Sequence, residues 1–305
     1  MKQIKLAVLV GFSALFASNE DTSQFVNPNK RFFSYSELLF WKTQENSTEF
    51  VSKNDKAQNA TFDFDPGYRL GVGYHRDEYL EFNAGYTWLY TSGSKEASKQ
   101  NNGSSLQASF DQESTSISNA TSNIRLHYHQ FETLVTRLFY GDEYFQISLF
   151  GGITGCYLDQ RWKILYDNNT DTENNSGLIE IKNNWDFFGI GLKGGLATQW
   201  AFYDSFRLIT KMSPGLLVGS YDYDQNKKKQ SSTRAAFCMQ LLLGPTYRKN
   251  FTHSAIELLA AYEATTWFNV AEVVHIQESK NNRIYNENSS ILLLHGLTLS
   301  LSYQF

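Results

Sequence analysis

The feature that most constrains this chain is strict two-residue alternation, carried through long segments. From Ile291 to Phe305 the odd positions read Ile291, Leu293, His295, Leu297, Leu299, Leu301, Tyr303 and Phe305. The even positions from Gly296 read Gly296, Thr298, Ser300, Ser302 and Gln304. A period of two belongs to a β-strand with one apolar and one polar face. Phe188, Ile190, Leu192, Leu196, Trp200 and Phe202 repeat it against Gly189, Gly191, Lys193, Gly195, Ala197 and Gln199. Leu80, Phe82, Ala84, Tyr86, Trp88 and Tyr90 repeat it again. Ten such segments are predicted, at 31–42, 67–77, 79–91, 123–139, 143–158, 185–201, 205–221, 233–248, 254–271 and 289–305.

The connections between them alternate in length. Short ones fall around Asp77, Asp142, Tyr203 and Asn250, and long polar ones at 43–66, 92–122, 159–184, 222–232 and 272–288. Short turns at one end and long loops at the other are the plan of an antiparallel transmembrane β-barrel of the outer-membrane type. The expected fold is therefore all-β, a barrel of about ten strands with short periplasmic turns and long extracellular loops. It becomes twelve if 43–66 or 92–122 adds a hairpin. A soluble β-sandwich also alternates, but has no need to sort its loops by length. The 18 Tyr, 23 Phe and 6 Trp fit aromatic girdles at two membrane boundaries. Tyr74, Tyr79, Trp88, Tyr90, Tyr140, Tyr144, Trp200, Tyr247 and Tyr303 fall near predicted strand ends.

Composition excludes other classes. Mean hydropathy is −0.42, and past the first residues no apolar run approaches the ~18 residues of a spanning helix. The formal charge is −4 with no basic block, which argues against nucleic acid as a partner. Two Cys make no disulfide scaffold. Cys156 and Cys238 fall on non-neighbouring strands, too far apart along the wall for a bond. Lys2 and Lys5 precede an apolar stretch, Leu6 to Phe16, and then Ala17. That is the order of a secretory signal, so 1–17 is expected to be a leader, 18–30 a periplasmic segment and 31–305 the barrel.

Charges set the phase of each strand, because Arg or Lys facing lipid at mid-bilayer costs roughly 2–4 kcal/mol. On that rule Arg69, Glu81, Lys193, Arg207, Lys211, Arg234, Arg248, Glu257 and Glu263 point into the lumen. Glu257 and Glu263 share parity with Asn269. The set lines a pore in one reading and forms a paired-charge plug in the other, since an eight-stranded barrel is filled by its own side chains and a sixteen-stranded one is open. Inward Gly71, Gly73, Gly85, Gly189, Gly191, Gly195 and Gly215 leave space, or else permit sharp coiling. Arg125, Glu132 and Arg137 do not share one parity, which calls for a bulge or a short membrane segment. Leu301, Tyr303 and Phe305 form an alternating aromatic ending of the kind the outer-membrane assembly machinery reads. His127 and His129 share a face, but as polar lining rather than a metal site. Asp222, Asp224 and Glu272 near the outer rim are the candidate carboxylates for an enzyme, a reading set aside for want of a complete catalytic set.

Several strings resemble the Legionella major outer membrane protein family, which includes members from chlamydia-like bacteria. They are Asp65 to His75, Leu158-Asp159-Gln160-Arg161, Trp185 to Trp200, Gly215 to Asp222, Trp267-Phe268-Asn269 and Leu294 to Ser300, in family order. The resemblance spans about Tyr35 to Phe305, with 92–122 its least similar part. It implies an outer-membrane location and a pore-forming, porin-like role, with no cofactor and no catalytic residue. The expected function is diffusion of small solutes or ions. The alternative is a structural or adhesive surface barrel with a closed lumen and working extracellular loops. Expected partners are the outer-membrane bilayer, the assembly machinery and small solutes or ions, and a homo-oligomer is left open.

Overall fold

In the computed structural model the chain is described from Arg31 to Phe305, apart from 47, 55, 78, 100–104, 111–116, 170–175, 204, 226–227 and 280–281. The side chains at 168–169, 176, 225, 228 and 271–289 also lie outside the description. The expected leader and the segment 18–30 therefore fall outside the described residues. Thirteen strands follow in order: β1 (Phe32–Glu45), β2 (Glu49–Lys53), β3 (Lys56–Asn59), β4 (Phe64–His75), β5 (Leu80–Ser98), β6 (Leu106–Ala108), β7 (Asn119–Gly141), β8 (Phe145–Asn169), β9 (Ser176–Ala201), β10 (Phe206–Gln225), β11 (Lys228–Asn250), β12 (Ala255–Ser279) and β13 (Asn282–Gln304).

Ten of them close a barrel in the order β1-β13-β12-β11-β10-β9-β8-β7-β5-β4. Every neighbouring pair is antiparallel. Closure removes both sheet edges, which a wall in hydrocarbon requires because no water is there to satisfy backbone groups. The first and last strands seal it. Phe33 faces Gln304, and Phe32 and Phe305 exchange two backbone hydrogen bonds of 3.1 and 2.9 Å. The twelve-strand alternative fails, because β3-β2-β6 from 43–66 and 92–122 form a separate small sheet. The four connections at the short-turn end are tight. In two of them one aspartate does the same work: Asp77 accepts from the backbone N–H of Tyr79 and Leu80, and Asp142 from those of Tyr144 and Phe145.

At the other end the strands run beyond the expected boundaries. The segment 159–184 is mostly wall, with Asp159 paired to Asp186 and Asn169 to Ser176. Much of the 222–232 segment likewise extends β10 and β11, with Asp222 facing Ser231. Side-chain hydropathy marks where strands leave the lipid, while backbone pairing continues above it. At about 3.4 Å per residue and ~40° tilt, a strand of 26 residues rises roughly 65 Å, well past an apolar band of about 25 Å.

Alternation persists along these strands, but its polarity inverts. On β9 the outward Leu192, Ile190 and Phe188 are 62, 52 and 53% exposed, and give way to Asp186, Asn184 and Lys182. The inward Lys193, Gly191 and Gly189 give way to Phe187, Trp185 and Ile181, all buried. Strand β8 changes over at Tyr157 and β10 near Val218. Below the change the outer wall meets lipid; above it the interior must supply an ordinary apolar core. That core includes Trp41, Tyr128, Trp162, Trp185, Trp267 and Leu292, and the small sheet caps it with Phe50 and Val51. The Tyr166 hydroxyl ties the cap to the wall by donating to the Phe50 carbonyl.

Candidate functional site

The bore is the candidate site, and all nine predicted residues belong to it, in three tiers. Nearest the short turns is a vestibule of about 300 Å³ lined by Glu81, Lys211, Arg248 and Glu257, with His75 and Gln304 among its neighbours. Arg248 donates to Gln304 over 2.7 Å and to Asn250 over 3.3 Å, and lies 3.8 Å from Glu257. His75 lies 3.6 Å from Glu81. Arg207, 7% exposed, lies within electrostatic reach of Arg248 and Glu257. Lys211 is the solvent-exposed cation of the vestibule.

The middle tier is a circuit of polar groups crossing the bore. Lys193 on β9 donates to Glu132 on β7 and to Gln240 on β11. Gln240 donates to Glu263 on β12. Arg69 on β4 donates to Glu263 over 2.8 Å and to Glu37 on β1 over 2.6 Å, and its Nε reaches Thr87 at 2.8 Å. Thr298 donates to the other Glu263 oxygen over 2.9 Å, and Trp41 to Thr298 over 3.1 Å. Glu263 is fully buried. Such charges persist in a low-dielectric interior only when paired and hydrogen-bonded, and here three carboxylates are laced to two cations.

The upper tier is the apolar core. Arg234 stands there, its guanidinium 3.8 Å from the Tyr221 ring centre. Cys156 and Cys238 are free and buried. They face the bore within electrostatic reach of each other, a proximity that separation along the wall concealed.

The inward glycines are filled floors. A Cβ on Gly71 or Gly85 would stand 2.1 and 2.4 Å from the Tyr35 ring and hydroxyl, one on Gly73 2.1 Å from Phe33, one on Gly189 2.6 Å from Phe187 and one on Gly215 2.7 Å from Cys238. Gly191 and Gly195 instead admit the neighbouring backbone, at 1.9 and 2.1 Å from carbonyl oxygens, which is the coiling alternative.

Sequence reasoning missed Glu37 and Thr298 and left Glu132 unphased. A lone Glu between Tyr35 and Leu39 was the available signal for the first. Strand β7 contains no bulge between Arg125 and Arg137. Glu132 points inward to Lys193, while Arg125 and Arg137 share the outward parity of Phe131, above and below a short lipid-facing stretch. Asn269 departs from expectation. It has φ of 63°, sits in a register shift between Phe268 and Ala271, is exposed and donates to the Ala235 carbonyl, so parity with Glu263 ends there. His129 and His295 are outward, each 2.6 Å from a tyrosine hydroxyl, of Tyr86 and Tyr262. Asp222 and Asp224 share the outward parity of Leu216 and Val218 and do not converge on the mouth. The Glu272 side chain lies outside the described residues.

Among solved structures, the outer-membrane protease OmpT from Escherichia coli is similar over 94% of this chain and all of its own, at 11% identity and a TM-score of 0.53. A major outer membrane protein from Thermus thermophilus covers 90% of this chain and 99% of its own, at 10% identity and a TM-score of 0.36. The toluene transporter TodX from P. putida covers 91% and 90%, at 10% identity and 0.34. At such identities the first likeness speaks for the barrel fold alone. No curated protein matches by sequence. The family described as Legionella pneumophila major outer membrane protein precursor matches residues 27–305. A closed ten-stranded wall with a lipid-facing band and a family match that runs from residue 27 to 305 places the protein in the outer membrane: the chain belongs to the Legionella pneumophila major outer membrane protein family.

Proposed function

We propose that this protein is a surface barrel of the outer membrane whose bore is shut at rest, with its extracellular hairpins and small sheet as the working part. One observation carries the reading: the Glu132–Lys193–Gln240–Glu263–Arg69–Glu37 circuit spans the bore from wall to wall. Directly above it lies a packed apolar core. No catalytic role is assigned. Partners on this reading are outer-leaflet and inner-leaflet lipid around the apolar band, and the assembly machinery engaging Leu301, Tyr303 and Phe305. These three side chains are 44–55% exposed on the outer wall of the sealing strand. The test is planar-bilayer recording of the refolded protein. Silence at low voltage is expected, and steady channels in the wild type would overturn the closed resting state.

The second reading, a pore for small solutes or ions, is favoured by the charged vestibule, which already opens the periplasmic part of the route. On that reading conduction follows when the side-chain circuit parts. Arg207 and Lys211 would then bias passage toward anions, and exchanging both for Glu should move the reversal potential toward cations. Unchanged selectivity in a conducting double variant would remove both residues from the path.

A further inference from the structure

In the extracellular half the apolar packing is interrupted by a polar layer that the circuit does not reach. Glu45, the last residue of β1, lies above the apolar band, past outward Phe40 and Lys42. It is 8% exposed, and neither carboxylate oxygen completes a hydrogen bond. Gln160 from β8 and Ser290 from β13 lean toward it and favour its charged form, short of good geometry. The Gln160 Oε1 and Ser290 Oγ atoms are themselves without partners. Gln160 faces Trp185, which faces Tyr223 along one inward rung, and Trp185 Nε1 lacks a hydrogen-bond partner.

A carboxylate buried this way is protonated, hydrated or paired with a cation. Among the described residues no cationic side chain acts on it. Arg234 is engaged by Tyr221 at 3.8 Å and by Ser232 at 3.2 Å. Glu45 and Arg234 both act on Tyr221, as do Tyr223 and Asp186. The donors are one carboxylate and neutral oxygens, hard ligands unsuited to soft metals. No group of three His, Cys, Asp or Glu among the described residues could hold an ion. One buried negative charge is balanced by one positive charge, and a divalent ion would leave an excess.

We propose that Glu45, Gln160 and Ser290 bind a single monovalent cation of the Na+/K+ class between β1, β13 and the opposite wall. The Glu45 carbonyl also accepts from Thr48, and the Thr48 carbonyl accepts from the Ala60 backbone. The ion therefore fastens the small-sheet cap to the barrel, whether or not the bore conducts.

Burial pushes the Glu45 carboxyl up to about 7, so in the folded state it is charged only above that. Without a suitable cation, stability falls as pH rises from the ordinary 4.5 toward 7, because the unfolded chain releases the proton first. The full chain is refolded in detergent, and its thermal midpoint is read at pH 8.5 and pH 5. Chlorides of Na+, K+, Ca2+ or the bulky N-methylglucamine are compared at equal ionic strength. Na+ or K+ should raise the midpoint over N-methylglucamine by on the order of 5 °C at pH 8.5. The gain should shrink at pH 5 and vanish in Glu45→Gln. Ser290→Ala should raise the half-saturating concentration several-fold, which keeps the test available if Glu45→Gln does not refold. Equal wild-type midpoints in all salts at pH 8.5 overturn the site. So does a response that survives Glu45→Gln, and a response to Ca2+ alone overturns the single-charge assignment.

Discussion

On β9, the bore-facing side chains near the periplasm are Gly189, Gly191, Lys193, Gly195, Ala197 and Gln199, whereas those toward the cell exterior are Phe187, Trp185, Asn183 and Ile181. One strand thus builds two interiors. The lower one sits inside a lipid-facing wall, where hydrocarbon outside already accepts the apolar face and the bore is left to charges and water. The upper one sits inside a water-facing wall, where burying Trp and Tyr is the available source of stability. The comparison teaches that two different kinds of contact occupy the bore, an electrostatic circuit below and close packing above.

The largest effect should come from breaking the circuit. Arg69→Ala strands Glu263 and Glu37 without a cation and should cost about 4 kcal/mol, measured by urea unfolding in vesicles. A loss below about 1 kcal/mol would mean water or Lys193 takes over the pairing. Close behind, Trp162→Ala in the upper core removes a side chain that donates to Ser122 at 2.8 Å and meets Phe110 edge-on at 5.3 Å. It should cost roughly 3 kcal/mol without altering any property of the vestibule.

The inversion itself is tested on the outer face of β9. Ile190→Lys places a charge in lipid and should lose about 2–4 kcal/mol. Asn184→Lys, on the same face further along the strand, should be near neutral. Equal costs would erase the boundary between the two walls. In the vestibule, Lys211→Glu should change stability by less than about 1 kcal/mol, in contrast to Lys193 of the circuit on the adjacent strand.

The smallest effect is at the turn. Hydrogen bonds from the Tyr144 and Phe145 backbones hold the Asp142 carboxyl below the ordinary range. Its contribution is present above the ordinary 3.8 and is lost as pH falls through the depressed value. Asp142→Ala should therefore lower the thermal midpoint slightly at neutral pH, and the two proteins should converge in acid.

Much of this was legible in the residues. Alternation located ten strands, turn and loop lengths oriented them, and single charges in apolar strands such as Arg69 and Glu263 fixed inward faces. The flip at Phe187-Phe188 was also written there, as apolar residues changing parity, but reads as a strand end unless the strand is followed past the lipid. What only the tertiary structure decided is who meets whom across the bore. Whether Gly71 is a gap or a floor depends on Tyr35 of a neighbouring strand, and whether Glu263 lines a channel or stops it depends on Arg69, Gln240 and Thr298 from three others. Parity is a local property of one strand, set by the pleat. Closure brings together residues far apart in the chain, and sequence spacing carries no information about that distance.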